Sequence, residues 1–508
     1  LYPAQSNAYF IQLAVHLEGE IHSRHLRTAW QHALERHGSL RVAMVADAKR
    51  PLQVVSRDLE IPWTELDLST ASEAQRAEEL EAWLVADQDR GFDLAEPPLL
   101  RLAWIRTAPR EHVLVFSSHH ILLDGWSMPV LLNDVQESYR ALCQGLSPEL
   151  PPVRPYRDFI AWLEGQEEEA TRAFWSTYLE GFEEATPLPG ATPGAASGSS
   201  IGTTEISLSS ELSLDFDAFV RQNRWTASLV CQAAWGVLLA RYGDLDDVLF
   251  GTTVSGRPIE LDGVESMVGL FINTVPVRVR GLSHRPLREL LQELQEDQFA
   301  REGHEHFPLQ EIRPLSPLPG SEALFETLMV YDNYPLGAAP ATEEPFTLRF
   351  KEARFYDPTH YPLNLMAFRG ETLTFRLAWA RERFEDAAIH RLGRHFLQLL
   401  ESFLTGPQLP PHRLDWLSAS ERQQLLHGFN DTDPEVPGPS GLHELFFGQA
   451  QRQPEADAQR YGNESMTYGE LALRARKLAG GLLEASTQGS SGYLGSMPAD
   501  TRIGILLE

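Results

Sequence analysis

Ser117-Ser118-His119-His120-Ile121-Leu122-Leu123-Asp124-Gly125-Trp126-Ser127 is the stretch on which the reading of this 508-residue chain turns. It is preceded by two strand-like runs, Leu99–Arg106 and His112–Ser118, and followed by a helix-like run from about Pro129 to Leu142 that Gly145 stops. A strand end and the loop after it are where layered α/β proteins place chemistry. Three readings of the two His and the Asp stand side by side. A metal site needs both imidazoles on one ion, but neighbours on an extended strand leave on opposite faces, so no metal is expected. The plainest reading makes the His a half-buried residue at a strand end and Asp-Gly a turn. In the third, one His faces a reaction centre as base or donor while the other His and Asp124 hold the loop in shape.

Outward from this stretch, strand-like and helix-like segments alternate, which predicts an α/β fold of layered sheets and helices. Gln12–Leu17 looks like a strand. Ser23 is expected to cap a helix carrying Leu26, Trp30, Ala33 and Leu34 at helical spacing, with Gly38 ending it. Ser72 with Gln75 three residues on has the capping-box pattern, ahead of Leu80, Trp83 and Leu84. Residues 186–203 (TPLPGATPGAASGSSIGT) lack apolar periodicity and are expected to connect two lobes flexibly. Beyond them the theme repeats, without a fixed period: an apolar helix Ser228–Ala240, strands Val248–Val254 and Val275–Val279, and alternation to about Leu404. Phe429–Gly441 is polar and Pro-rich, a linker, and the text restarting near Leu442 is too short for a large domain.

The balance of 71 acidic against 43 basic residues, a formal charge of −28, argues against nucleic-acid binding. Cys143 and Cys231 supply neither a disulfide framework nor a Cys-based zinc site, and a reducing, cytoplasmic setting is expected. No apolar run approaches the roughly 20 residues that span a bilayer, and no signal segment opens the chain. It starts at Leu1 and stops in the strand-like Ile503–Glu508, so a piece of a longer protein is expected.

His-His-x-x-x-Asp-Gly, His119 to Gly125, resembles the signature of condensation domains of nonribosomal peptide synthetases, within the chloramphenicol-acetyltransferase-like superfamily. Further motifs of that family follow in order: Arg36-His37-x-x-Leu40-Arg41, Tyr156-Arg157-Asp158-Phe159-Ile160-Ala161-Trp162, Ser255-Gly256-Arg257-Pro258, Met267 to Arg278 (MVGLFINTVPVR), and Asp332-Asn333-Tyr334-Pro335. The resemblance covers about residues 1–425. The tail resembles the start of an adenylation domain, with Met466-Thr467-Tyr468-Gly469-Glu470-Leu471 as its first motif and no phosphate-binding loop. The layout expected is an N-lobe at 1–185, a C-lobe with the inter-lobe connection at 186–425, a linker at 426–441 and an adenylation fragment at 442–508.

The resemblance implies two acyltransferase-like lobes in a V with a central tunnel, into which upstream donor and downstream acceptor carrier proteins present substrates on phosphopantetheine arms. It implies no directly bound cofactor and no membrane. His120 matches the active-site His, His119 its structural neighbour, Asp124 the loop-fixing acid that pairs with an Arg, and Gly125 the place where a side chain would narrow the tunnel. Arg278 is the first candidate for that partner and Arg41 the second. Trp126, Asn273 and Asn333 are candidates to line the tunnel or belong to a floor loop, while Ser127 reads as a helix cap and Tyr156–Trp162 as helix packing. An α-amine with a pKa of about 8 is already about a tenth deprotonated at pH 7, so His120 need only take a proton as the intermediate forms, or hold the amine in line. The implied reaction is peptide-bond formation. Tyr9–Leu13 and Gly181–Pro189 look more like domains taking a D-configured or modified donor. The alternatives are an epimerisation domain, a non-catalytic recruitment platform, and a coenzyme A-dependent acyltransferase.

Overall fold

The strand that leads into the His pair is central to a five-stranded sheet. In the computed structural model, which describes residues 9–46, 51–191, 201–320, 322–332, 348–357, 359–431, 441–462 and 464–487, the chain runs β1 (Phe10–Glu18), α1 (Ser23–Arg36), β2 (Val42–Ala46), β3 (Pro51–Val55), β4 (Trp63–Asp67), α2 (Glu73–Arg90), β5 (Leu100–Ala108), β6 (Glu111–His119) and α3 (Ser127–Cys143). It continues through α4 (Arg157–Glu164), α5 (Glu168–Leu179), β7 (Ile201–Ser207), α6 (Ser210–Asn223), α7 (Ala227–Gly243), β8 (Asp247–Val254), β9 (Asn273–Arg280), α8 (Leu287–Glu302), α9 (Leu309–Ile312), β10 (Thr327–Asp332), β11 (Arg349–Tyr356), β12 (Leu363–Arg369), β13 (Leu373–Ala380) and α10 (Asp386–Thr405).

The first sheet has the order β11-β1-β6-β5-β4 and the second β7-β13-β12-β10-β8-β9. On the first sheet, one face carries Leu13, Val15, Leu17, Leu114 and Phe116, buried with Leu26, Trp30 and Leu34 of α1 and Leu131 and Val135 of α3. The other carries Ala14, Ala103, Ile105, Val113 and Val115 against Leu84 of α2. That two-sided burial explains why the middles of these strands, Leu102–Ile105 and Val113–Phe116, are continuous apolar runs rather than alternating. In the second half α7 is buried along almost its whole length, matching its all-round apolar text. It shares a core with α8, α10 and the second sheet.

β11 departs from the expected layout. It belongs by position to the 186–425 segment, yet it pairs antiparallel with β1 and forms an edge of the first sheet. The second segment is therefore not self-contained: it hands a strand across to the first and returns for β12. Lys351 and Arg354 on that edge pair with Glu18 and Glu81, charge that blunts an otherwise open edge.

The Ser72–Gln75 capping box forms as expected, with both reciprocal bonds. Ser23 is not a cap: it is the first residue of α1, and His22 holds the cap position without a side-chain bond. Ile201–Thr203, placed in the flexible connection, already belong to β7 paired with β13, while 192–200 lie outside the described residues. The chain divides into two compact units, Leu1–Ala419 and Ser420–Glu508. The second contains a helix Leu442–Arg452, a hairpin Asp457–Tyr461 with Glu464–Thr467, and a helix Tyr468–Thr487 that begins inside the Met466–Leu471 motif.

Candidate active site

β6 ends with His119 opposite Phe10 of β1, and the next backbone N–H, that of His120, donates to the Tyr9 carbonyl at 2.7 Å. Strand alternation then divides the pair. His119 follows Ser117 and Val115 on the α2 side, and His120 follows Ser118 and Phe116 on the α1 and α3 side. His119 Nδ1 accepts the Ile121 N–H at 3.1 Å, which ties the ring to the turn and leaves its proton on Nε2. Burial, and secondarily the charge of His120, push this imidazole down to about 4, so it is neutral at pH 7. His120 is half-buried, and among the described residues nothing hydrogen-bonds its ring, which stays available to a substrate.

Asp124 holds the loop together. It is fully buried, and its Oδ1 accepts from the Ser127 N–H at 2.8 Å, securing the first turn of α3. Its Oδ2 accepts from the Phe271 N–H at 3.0 Å, and its own N–H donates to the Gly269 carbonyl at 3.1 Å. The loop after β6 is thus pinned to the 269–271 segment. Ser127 is no cap. Its Oγ sits 2.8 Å from both Asp124 Oδ1 and the Gly269 carbonyl, giving its one proton to either, and it accepts from the Gly269 N–H at 3.1 Å.

The partner of Asp124 is Arg257. Its Nη2 lies 3.3 Å from Asp124 Oδ1 and donates to Ser127 Oγ at 3.0 Å; Nη1 donates to the carbonyls of Met267 (3.0 Å) and Val264. The guanidinium carbon stands 4.0 Å from the centre of the Phe271 ring. Gly256, just before it, has φ +58°, and a Cβ there would overlap the Phe271 carbonyl, so the approach of the Arg257 loop depends on that glycine. Both expected partners are thereby corrected. Arg278 faces the other way along β9, with Nη2 2.6 Å from Asp247 Oδ2 and Nη1 on the carbonyls of Tyr178 and Glu180. Arg41 spends its guanidinium on the carbonyls of Leu34, Glu35 and Ser56, closing the turn after α1.

Asn273 acts as a brace: its Nδ2 donates to the carbonyls of Glu305 and Phe307, both at 2.7 Å, and its Oδ1 accepts the Thr274 N–H. Asn333 lies outside the described residues. Gly125 and Trp126 are exposed beside the loop, Trp126 at 39%. Tyr156, Phe159 and Trp162 pack with Met267 and Phe271, and burial keeps the Tyr156 phenol protonated. Among the described residues no cluster of three or more metal-ligating side chains occurs, and no helix is long and apolar enough to cross a membrane. Both cysteines are free.

Sequence reasoning missed Arg257 as the ion-pair partner, although Ser255-Gly256-Arg257-Pro258 was in plain view. An Arg between a Gly and a Pro is a cation on a shaped loop, and that was the signal available. It also missed the turn that follows β11, where His360 Nδ1 stands 3.0 Å from Tyr9 Oη.

The family profile described as condensation domain matches residues 1–426. A component of the linear gramicidin synthase of Brevibacillus parabrevis is 35% identical over 99% of this chain and 10% of its own length. Bacitracin synthase 1 of Bacillus licheniformis is 33% identical over 93% of this chain and 9% of its own. The chain thus spans about a tenth of the length of these relatives. Two solved structures share its fold: the X-domain from teicoplanin biosynthesis (TM-score 0.68, 24% identity, 82% of this chain and 94% of that one) and the first condensation domain of the calcium-dependent antibiotic synthetase (TM-score 0.66, 17% identity, 82% and 95%).

Proposed function

The chain belongs to the condensation-domain family, and from that premise we propose that it joins two carrier-bound substrates by an amide bond within a nonribosomal peptide synthetase. The observation that carries this is the contrast between the two histidines. His119 is neutral and committed to its own turn, whereas the His120 imidazole has no hydrogen-bond partner among the described residues, on a loop locked by Asp124 and Arg257.

The acceptor's α-amine attacks the donor's thioester carbonyl, each held on a phosphopantetheine arm as substrate. The C–N bond forms, His120 takes the proton from the nitrogen, the C–S bond breaks, and the proton returns to the departing thiolate. No nucleophilic Ser or Cys enters, because both acyl and amine arrive already tethered. Asp124 and Arg257 do not touch the reacting atoms; they fix the loop on which His120 stands, and orientation of this kind contributes as much as the proton transfer itself.

The partners of this reading are an upstream donor carrier, a downstream acceptor carrier and an adjoining adenylation domain, to whose beginning residues 442–508 are assigned by the Met466–Leu471 motif. Identity to the linear gramicidin synthase component extends over 99% of the chain and supports that assignment. A cytoplasmic setting accords with two free thiols, and a D-configured or modified donor is the finer form of the proposal. Incubation with two loaded carriers tests the reading. A dipeptidyl product on the acceptor carrier is expected; an inverted donor residue without transfer would assign epimerisation instead, and neither product would leave a recruitment platform.

A further inference from the structure

Two strands across from the His motif, β11 is followed at once by a carboxylate with no assigned role, Asp357. The registers place it. Gln12 of β1 faces Ser117 of β6 on one side and Tyr356 of β11 on the other. These three share the α2 face of the sheet, where Gln12 and Ser117 both bond to Asp87. One residue further along, Ile11 and Ser118 turn to the opposite face, the face of His120, and Asp357 follows directly on Tyr356 just past the end of β11.

Asp357 is neither closed off nor exposed, yet burial is the strongest influence on its carboxyl and raises it above the usual carboxylate range; the charge of His120 pulls the other way. No hydrogen bond or ion pair holds it among the described residues. The other titratable groups at this end are poor counter-charges for an imidazolium. His119 leaves on the α2 side and is neutral, and the charged form of His360 is suppressed by burial while its Nδ1 meets Tyr9 Oη at 3.0 Å. Burial likewise keeps the Tyr356 phenol protonated. Asp124 is committed to Arg257 and three N–H or O–H donors. Ser118 Oγ, on the His120 face, is buried with no hydrogen-bond partner among the described residues and offers no charge.

We propose that Asp357 is a positioning residue for His120, a carboxylate at the end of the edge strand beside β1 that balances the charge the imidazole acquires when it takes the amine's proton. The proposal rests on the reading of His120 as the proton acceptor. It also gives the strand exchange a purpose. Because β11 comes from the second half of the chain, the acid that completes the site is delivered only when that half has crossed to the first sheet.

Histidine Cε1 labelling with 13C in the full chain, assigned with His120→Gln, tests the pair without turnover. In Asp357→Asn the His120 midpoint should fall by about one pH unit, because an opposite charge has been removed. In the transfer assay the acidic limb of the rate profile should move to lower pH by the same amount, and the plateau should drop about three- to ten-fold as the base weakens. Asp357→Glu should restore most of both. Should Asp357→Asn fail to fold, the reciprocal measurement stands in its place: His120→Gln should raise the midpoint of the Asp357 carboxyl, read by its own 13C label. An unchanged His120 midpoint in folded Asp357→Asn, or an unchanged Asp357 midpoint in His120→Gln, overturns the proposal. Coupled midpoints in a chain that transfers no acyl group would sink the amide-forming reading and leave the pair standing.

Discussion

Replacing Asp124 by Ala removes the anion facing Arg257 and strands three donors, the Ser127 and Phe271 N–H groups and the Arg257 Nη2. The Asp124 side chain is 0% exposed and that of Arg257 5%, so water reaches neither. Removing one member of such a pair costs about 3–5 kcal/mol, since the other is left buried and uncompensated. Arg257 keeps the carbonyls of Val264 and Met267 and the Phe271 ring, which places Asp124→Ala near the middle of that range, about 4 kcal/mol. Arg257→Ala should cost about 3 kcal/mol, because Asp124 retains its donors from Ser127 and Phe271. In the double variant neither charge is orphaned, so the combined loss should fall short of the sum by about 1.5–2 kcal/mol. Urea unfolding followed by tryptophan fluorescence reads all three. Arg278→Ala provides the control: bound to Asp247, it should combine with Asp124→Ala additively within about 0.5 kcal/mol. Coupling below that level for Asp124 with Arg257, or equal coupling for Asp124 with Arg278, would refute the assignment of the pair.

The folded His119 midpoint, about 4, lies below the unfolded value near 6.5. The unfolded state therefore binds the extra proton first, and stability should be complete above about 6.5 and decline as pH falls towards 4. His119→Asn, whose Oδ1 can take the Ile121 N–H, should flatten that part of a stability-against-pH curve measured by urea titration. Gly256→Ala forces a Cβ into the left-handed region and onto the Phe271 carbonyl, and should lower stability by at least about 2 kcal/mol in the same assay. Gly19→Ala, also at positive φ but with nothing within 4 Å of the added Cβ, should cost less, about 1 kcal/mol.

Much of the first sheet was legible because its signals are local. The Leu99–Arg106 and His112–Ser118 runs became Leu100–Ala108 and Glu111–His119, and the Ser72–Gln75 box formed as read. So did the opposed faces of His119 and His120, which follow from strand alternation alone. What stayed hidden is decided by contacts distant in sequence. β11 is a half-charged run, RFKEARFY, whose partner lies more than 300 residues away, and no local pattern names the sheet it joins. Asp124 likewise finds Arg257 only because the Gly269–Phe271 segment docks on the α3 turn; Arg278, in the same motif as those residues, looked nearer in sequence and faces another way. Ser127 had the residue type of a cap, but tertiary bonds to Gly269 claimed its hydroxyl.

The central claim is that His120 takes the amine's proton during transfer between carriers. A single-turnover experiment with one carrier loaded with a donor and one with an acceptor amino acid, sampled by intact-protein mass spectrometry, measures that step most directly. The parent chain should move the donor acyl group onto the acceptor carrier, and a His120→Ala variant with an unchanged melting curve should do so about 10² to 10⁴-fold more slowly. Transfer at the parent rate by folded His120→Ala would contradict it.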